Sequence, residues 1–184
     1  MAALLLSAEG YVAAEGWWSL QPLSKVDLPS DGLAKHPIDA FVQQRLAKAG
    51  LASSPLAEPR TLIRRLHFDL LGLPPSPDTV AEFGANPTDP AYHQLVDRLL
   101  ASPRYGERWA RHWLDVARYG ESNGFEYNEP RRNAWPYRDW IIDSINADMP
   151  YDEFARMQIA GDILLPGPKG AAAVGFLVAG THNT

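Results

Sequence analysis

Apolar residues recur at helical spacing along this chain, and prolines punctuate them. Pro37 precedes Ile38, Phe41, Val42 and Leu46, an i, i+3, i+4, i+8 stripe that closes at Gly50, so the pattern predicts an amphipathic helix with a glycine cap. Proline fits the first turn of a helix without losing a hydrogen bond and is excluded from its middle. The same device returns at Pro59, ahead of Leu62, Ile63, Leu66 and Leu70 with Gly72 as the stop, and at Ser76-Pro77, opening a short helix through about Phe83. Asp89-Pro90 begins a helix bearing Tyr92, Leu95, Val96, Leu99 and Leu100, and Ser102-Pro103 begins the next. Further helices are expected from Trp135 or Tyr137 to about Ala147, from Pro150 with Tyr151, Phe154, Ala155 and Ile159 inward, and from Ala171 to Ala179. No run alternates at strand period. The expectation is an all-α fold of seven or eight short helices with Pro-rich connections, in a single compact domain over residues 17–180.

The helix after Pro103 carries the densest chemistry. On a helical wheel, Tyr105, Trp109, Trp113, Val116 and Gly120 share one side, while Arg104, Glu107, Arg108, Arg111, Asp115 and Arg118 share the other. Arg111 with Asp115 and Asp115 with Arg118 stand at the spacings where helical side chains meet. Between Ala49 and Pro168 the chain uses arginine and no lysine, a preference for the planar guanidinium fork. That fork suits either a network locking helices together or a site for an anionic ligand. The candidate ligand site is Arg108, His112, Asp115, Arg118 and Glu121, and His112, expected half-buried, is either a hydrogen-bonded core-edge histidine or a proton carrier or imidazole ligand.

The following loop, GESNGFEYNEPRRN, gathers oxygen donors around an Asn123-Gly124 turn. Glu121, Asn123 and Glu126 form a candidate calcium set, although the segment matches only a fragment of a helix–loop–helix calcium site. Alternatively, Glu121 and Glu126 are a glycosidase-like carboxylate pair with Trp135 and Tyr137 as sugar platforms.

Composition narrows the field. The chain of 184 residues has a formal net charge of -5, which does not favour a nucleic-acid partner, and it contains no cysteine, which excludes disulfides, thiolate metal sites and covalent haem within these residues. No apolar run reaches the roughly 18 residues needed to span a bilayer. Residues 1–16 are read as a clipped export signal or a disordered lead, and 181–184 as a truncated tail.

Four blocks in order resemble a known family: HPIDAFVQQRLAKAGL, TLIRRLHFDLLGLPPSPDTVAEF, YHQLVDRLLASPRYGERWARHWLDVARYGESNG and AWPYRDWIIDSINADMPYDEFARMQIAGDIL. They are similar to the planctomycete-type cytochrome-associated domain of unknown function, and the preceding WWSLQPL is similar to that family's Trp-containing opening segment. The resemblance implies a bacterial, secreted or periplasmic protein in which this domain accompanies c-type cytochrome modules. The family's CxxCH haem-attachment motif, which follows the GFL block, has no counterpart here, so haem c is expected only in a longer parent protein. The functional expectation is an exported helical scaffold or ligand-presenting domain beside a redox module. The alternatives are a glycan-binding or glycoside-active domain using the acidic loop, and a direct electron-transfer domain with His112 as distal ligand to a haem carried elsewhere.

Overall fold

The computed structural model describes residues 21–29, 36–124 and 129–180. Among them are eight α-helices and no strand, so the all-α expectation holds. The proposed leader and tail, Trp17, Trp18 and Glu126 lie outside the described residues. By backbone contacts the chain divides into two compact units with the boundary between Leu56 and Ala57.

The first unit contains α1 (Pro37–Lys48). The His36 ring caps it, with Nδ1 accepting from the backbone N–H of Ile38 at 3.2 Å. Gly50, at φ +68°, follows the helix in the left-handed conformation anticipated for it. Its buried residue is Ala40, whereas Ile38, Phe41 and Val42 of the predicted inward stripe are exposed.

The second unit comprises α2 (Pro59–Leu71), α3 (Pro77–Ala85), α4 (Asp89–Leu100), α5 (Pro103–Val116), α6 (Trp135–Asn146), α7 (Tyr151–Leu164) and α8 (Pro168–Ala173), followed by a 3-10 helix (Val174–Val178). Small hydroxyl residues start three of these helices. Ser76 Oγ accepts from Thr79 N at 3.1 Å, Thr88 Oγ1 from Ala91 N at 3.4 Å, and Ser102 Oγ from Arg104 N at 3.4 Å. α4 thus begins from Thr88, with Asp89 already in its first turn where a carboxylate suits the helix dipole.

Two hydrophobic clusters flank α5. Ile63, Phe83, Leu95 and Leu99 join α2, α3 and α4. Ala110, Tyr137, Trp140, Ile141, Phe154, Met157 and Ala173 join α5, α6, α7 and α8. The face that α5 buries differs from the predicted one. Gly106 and Ala110 are its buried residues, with Trp113 and Ala117 packed against the core, while Trp109 is 39% and Val116 75% exposed. The reason is proximity: a Cβ built on Gly106 would lie 2.6 Å from the Ile142 carbonyl oxygen and from Asn146, so α6 crosses α5 where only glycine fits. A wheel weighted by hydrophobicity selects bulky residues, whereas a close helix crossing selects small ones. Asn146 completes this contact, accepting from Gly106 N at 2.8 Å and donating to the Pro103 carbonyl at 3.0 Å.

Candidate functional site

α6 is held on two sides. α5 covers Ile142 and Asn146, and Gly175 of the 3-10 helix sits so close to Tyr137 that an added Cβ would be 2.7 Å from the Tyr137 Cβ. Beneath lies a polar knot inside the aromatic core. Trp113 Nε1 donates to Gln158 Oε1 at 2.9 Å and to Tyr137 Oη at 3.1 Å, Tyr137 Oη donates to the same Gln158 oxygen at 2.7 Å, and Gln158 Nε2 donates to the Phe154 carbonyl at 3.2 Å. Every polar group of the knot is satisfied, which burial requires. Burial pushes the Tyr137 phenol pKa up, partly offset by the Trp113 hydrogen bond. Phe154 stacks on Trp140 at 5.3 Å and meets Trp113 edge-on at 4.9 Å, which fixes the indoles.

The third side of α6 is open. It forms one wall of a groove of about 780 Å³ whose other walls come from α7, α8 and the segments around them. Trp140, Met149, Met157 and Ala172 supply apolar lining, joined by Leu164 and Leu165 near the end of α7 and by Trp135, which is 53% exposed. α7 breaks its helical geometry at Ala160 (φ −142°, ψ 28°), and Gly161 then lies against α8, where an added Cβ would come within 3.0 Å of Ala173 Cβ. These two features let α8 close one flank of the groove. Charged groups also line it. Asp139 is paired with Arg138 at 3.0 Å and Arg156 with Asp152 at 2.6 Å, whereas Asp143, Glu153 and Lys169 have no ion-pair partner among the described residues. An apolar cleft with a few polar groups has the general character of a ligand site.

The residues singled out from sequence do not bond to one another. Among the described residues, no side-chain hydrogen bond or ion pair joins any two of Arg108, His112, Asp115, Arg118 and Glu121, and the anticipated Arg111–Asp115 and Asp115–Arg118 pairs do not form. Arg108 is half-buried against Gly72, where an added Cβ would be 2.7 Å from its Cδ, and its Nε is buried without a hydrogen-bond partner. His112 is exposed rather than half-buried, its ring 5.3 Å from Trp109. Asp115 is exposed, and Arg118, also exposed, adopts a left-handed φ of +54° just beyond α5.

Glu121 is committed to protein partners. Its Oε1 accepts from Arg138 and, at 3.2 Å, from the Tyr119 hydroxyl. Burial, then the charge and hydrogen bond of Glu121, push the Tyr119 phenol up to about 12. Burial pulls the Arg138 guanidinium down, but Asp139, Glu121 and Tyr119 outweigh it and the net direction is upward. Asn123 donates through its backbone to Glu129 O at 3.0 Å, and Gly124 has φ +89°. Among the described residues, no group of three or more His, Asp or Glu side chains is placed to hold a metal ion. The sugar-platform reading also changes, because Tyr137 is only 3% exposed and offers no free ring face, while Trp135 opens into the groove.

Sequence reasoning missed Arg131. Its guanidinium donates to the carbonyls of Gly120 at 3.0 Å, Ala179 at 2.7 Å and Gly180 at 3.0 Å, and to Val178 O. A cation on carbonyls at the end of a helical turn is electrostatically favoured, and here it fastens the loop after α5 to the segment after the 3-10 helix. Nothing in the local sequence distinguishes Arg131 from Arg132.

No helix among the described residues is long and apolar enough to cross a membrane. A family model, PSCyt2, described as a protein of unknown function (DUF1549), matches residues 37–184. No curated protein and no solved structure matches the chain.

Proposed function

Given that the chain belongs to the PSCyt2 (DUF1549) family, we propose that it is a noncatalytic, ligand-presenting helical scaffold that works beside a c-type cytochrome module in an exported, periplasmic setting. The single observation that carries the scaffold part is the open apolar groove along α6, set on a core whose buried Trp113–Tyr137–Gln158 groups are mutually satisfied. A rigid base under an accessible apolar surface is what presentation of a partner requires, because ordering costs fall when the receptor is preorganised. The absence of any side-chain hydrogen bond or ion pair among Arg108, His112, Asp115, Arg118 and Glu121 fits the same reading, since acid–base or nucleophilic work needs its groups within hydrogen-bond reach of one another. The cytochrome partner and the exported setting come from the resemblance of the four sequence blocks.

The test is calorimetric titration of this protein with a soluble c-type cytochrome, combined with amide and indole NMR spectra. Saturable heat, with the Trp135 indole signal moving, is the expected result. Redox partners use small interfaces, so weak affinity would still agree, but absence of both heat and shifts at about 1 mM would overturn the reading.

A further inference from the structure

We infer that the groove along α6 receives an amphipathic α-helix of a partner protein, held by an apolar stripe and by lysine or arginine along the edge that meets Asp143 and Glu153. This deepens the proposal above and rests on the groove being the presenting surface. Its shape points to a helix. The lining positions Trp135, Asp139 and Asp143 on α6 and Ala147 at its C-cap form an i, i+4, i+8, i+12 series that uses one face of the helix from end to end. At 1.5 Å per residue this face is roughly 18 Å long, about three turns. The remaining faces of α6 already pack against α5 and the 3-10 helix, so the open trough is where a helical neighbour would complete the packing.

The chemistry agrees with the shape. Met149 and Met157 adapt to varied side chains, and Trp135 with Leu164 adds exposed apolar surface that an i, i+3, i+4, i+7 stripe would cover. Charge selects the sign of the flanks. Asp143 on α6 and Glu153 in the first turn of α7 have no ion-pair partner among the described residues, while the positive Arg156 is already engaged by Asp152. Lys169 on α8 leaves a place for one partner acid. A basic-edged helix therefore gains complementary contacts where an acidic one would meet like charge.

The probes are a 14-residue, acetylated and amidated leucine/lysine helix and its leucine/glutamate counterpart, titrated by calorimetry and NMR. The lysine peptide should bind at least tenfold more tightly, shift the Trp135 indole and lose affinity with added salt. The double variant Asp143→Lys, Glu153→Lys should reverse the preference. The double variant Asp69→Lys, Asp97→Lys, which changes net charge equally on α2 and α4, should leave it in place. Ala172→Trp should fill the trough and weaken the lysine peptide at least tenfold, and Trp135→Ala should weaken it without touching the buried core. Equal binding of the two peptides, reversal by the α2/α4 variant as well, or shifts confined to other surfaces would overturn the inference. So would self-association of the free protein that covers Trp135 and resists the peptide, because a second copy would then be the occupant. The two proposals fail separately. Cytochrome binding in the groove without peptide preference sinks the helix alone, and peptide binding without any cytochrome binding sinks the cytochrome role alone.

Discussion

The two clusters flanking α5 bury side chains by different means. On the α2–α4 side, Ile63, Phe83, Leu95 and Leu99 make an apolar core, and the buried polar residue beside them, His67, leaves Nε2 without a hydrogen-bond partner. On the α6–α8 side the aromatic rings of Trp113, Trp140 and Phe154 interlock, and the buried polar groups of Trp113, Tyr137 and Gln158 satisfy one another. The groove opens only a short distance from that second core, with Trp140 and Met157 belonging to both. Oriented aromatic contacts and a closed polar network fix side-chain positions more tightly than aliphatic packing does. The half that opens a groove is thus the half whose interior is more strictly specified.

The strongest way to break this comparison is to remove its central rings. Phe154→Ala should cost about 3–5 kcal/mol and Ile63→Ala about 2–5 kcal/mol, since each leaves a cavity in one of the two cores. Because α5 packs on α2 as well as on α6, both variants should still unfold in a single denaturant transition followed by fluorescence and circular dichroism. Two separate midpoints in either variant would show that the cores are independent. Next in size is Gln158→Met, which keeps the volume near constant but leaves the Tyr137 hydroxyl without its acceptor. A loss of about 1–3 kcal/mol is expected, and a variant as stable as the parent would mean that the network specifies little.

His67 sharpens the contrast through pH. Burial, then the charge of Arg98, lowers its pKa in the fold below the ordinary 6.5. The unfolded chain therefore binds a proton at higher pH than the folded one, so stability is fully present above 6.5 and declines as pH falls through 6.5 toward the lowered folded value. One such group gives a slope of at most about 1.4 kcal/mol per pH unit. Urea midpoints measured across this window should fall toward acid in the parent and fall less in His67→Leu; parallel curves would remove His67 as the cause.

The legible part of this fold was its punctuation. Prolines at first-turn positions and the Ser76 and Ser102 caps act locally, so Pro37, Pro59 and Pro103 marked real helix starts without knowledge of any neighbour. The candidate site was less legible, because it depends on which face each helix buries. Gly106, which carries no apolar side chain to rank, is the crossing point with α6, and Trp109, placed on the apolar side of the wheel, remains partly exposed. Arg108, Asp115 and Glu121 were grouped by proximity in sequence, but a left-handed residue at Arg118 ends α5 and redirects the chain, so Glu121 meets Arg138 of α6 instead. Trp135 was picked out as an exposed platform from its place beside the acidic loop, whereas the groove it opens into draws on α7 and α8, distant in sequence.

The smallest expected effect concerns Glu121, at the margin between the ordered aromatic core and the loop after α5. Glu121 is exposed and Arg138 partly so, and Glu121→Gln should change stability at neutral pH by no more than about 1 kcal/mol. Its signature is the Tyr119 phenol. Burial is the largest cause of the rise to about 12 and persists in the variant, but the carboxylate charge disappears and its hydrogen bond weakens. Tyr119 should then ionise at lower pH than in the parent, read from phenolate absorbance. Because the folded value lies above the ordinary 10.0, the parent gains stability from this group that is fully present below pH 10 and is lost as pH rises through about 12. In Glu121→Gln that alkaline loss should be smaller and should be complete at a lower pH. An unchanged Tyr119 titration would mean that Glu121 does not hold the phenol, and that the loop is fastened instead by Arg131 and the carbonyls it gathers around the end of the 3-10 helix.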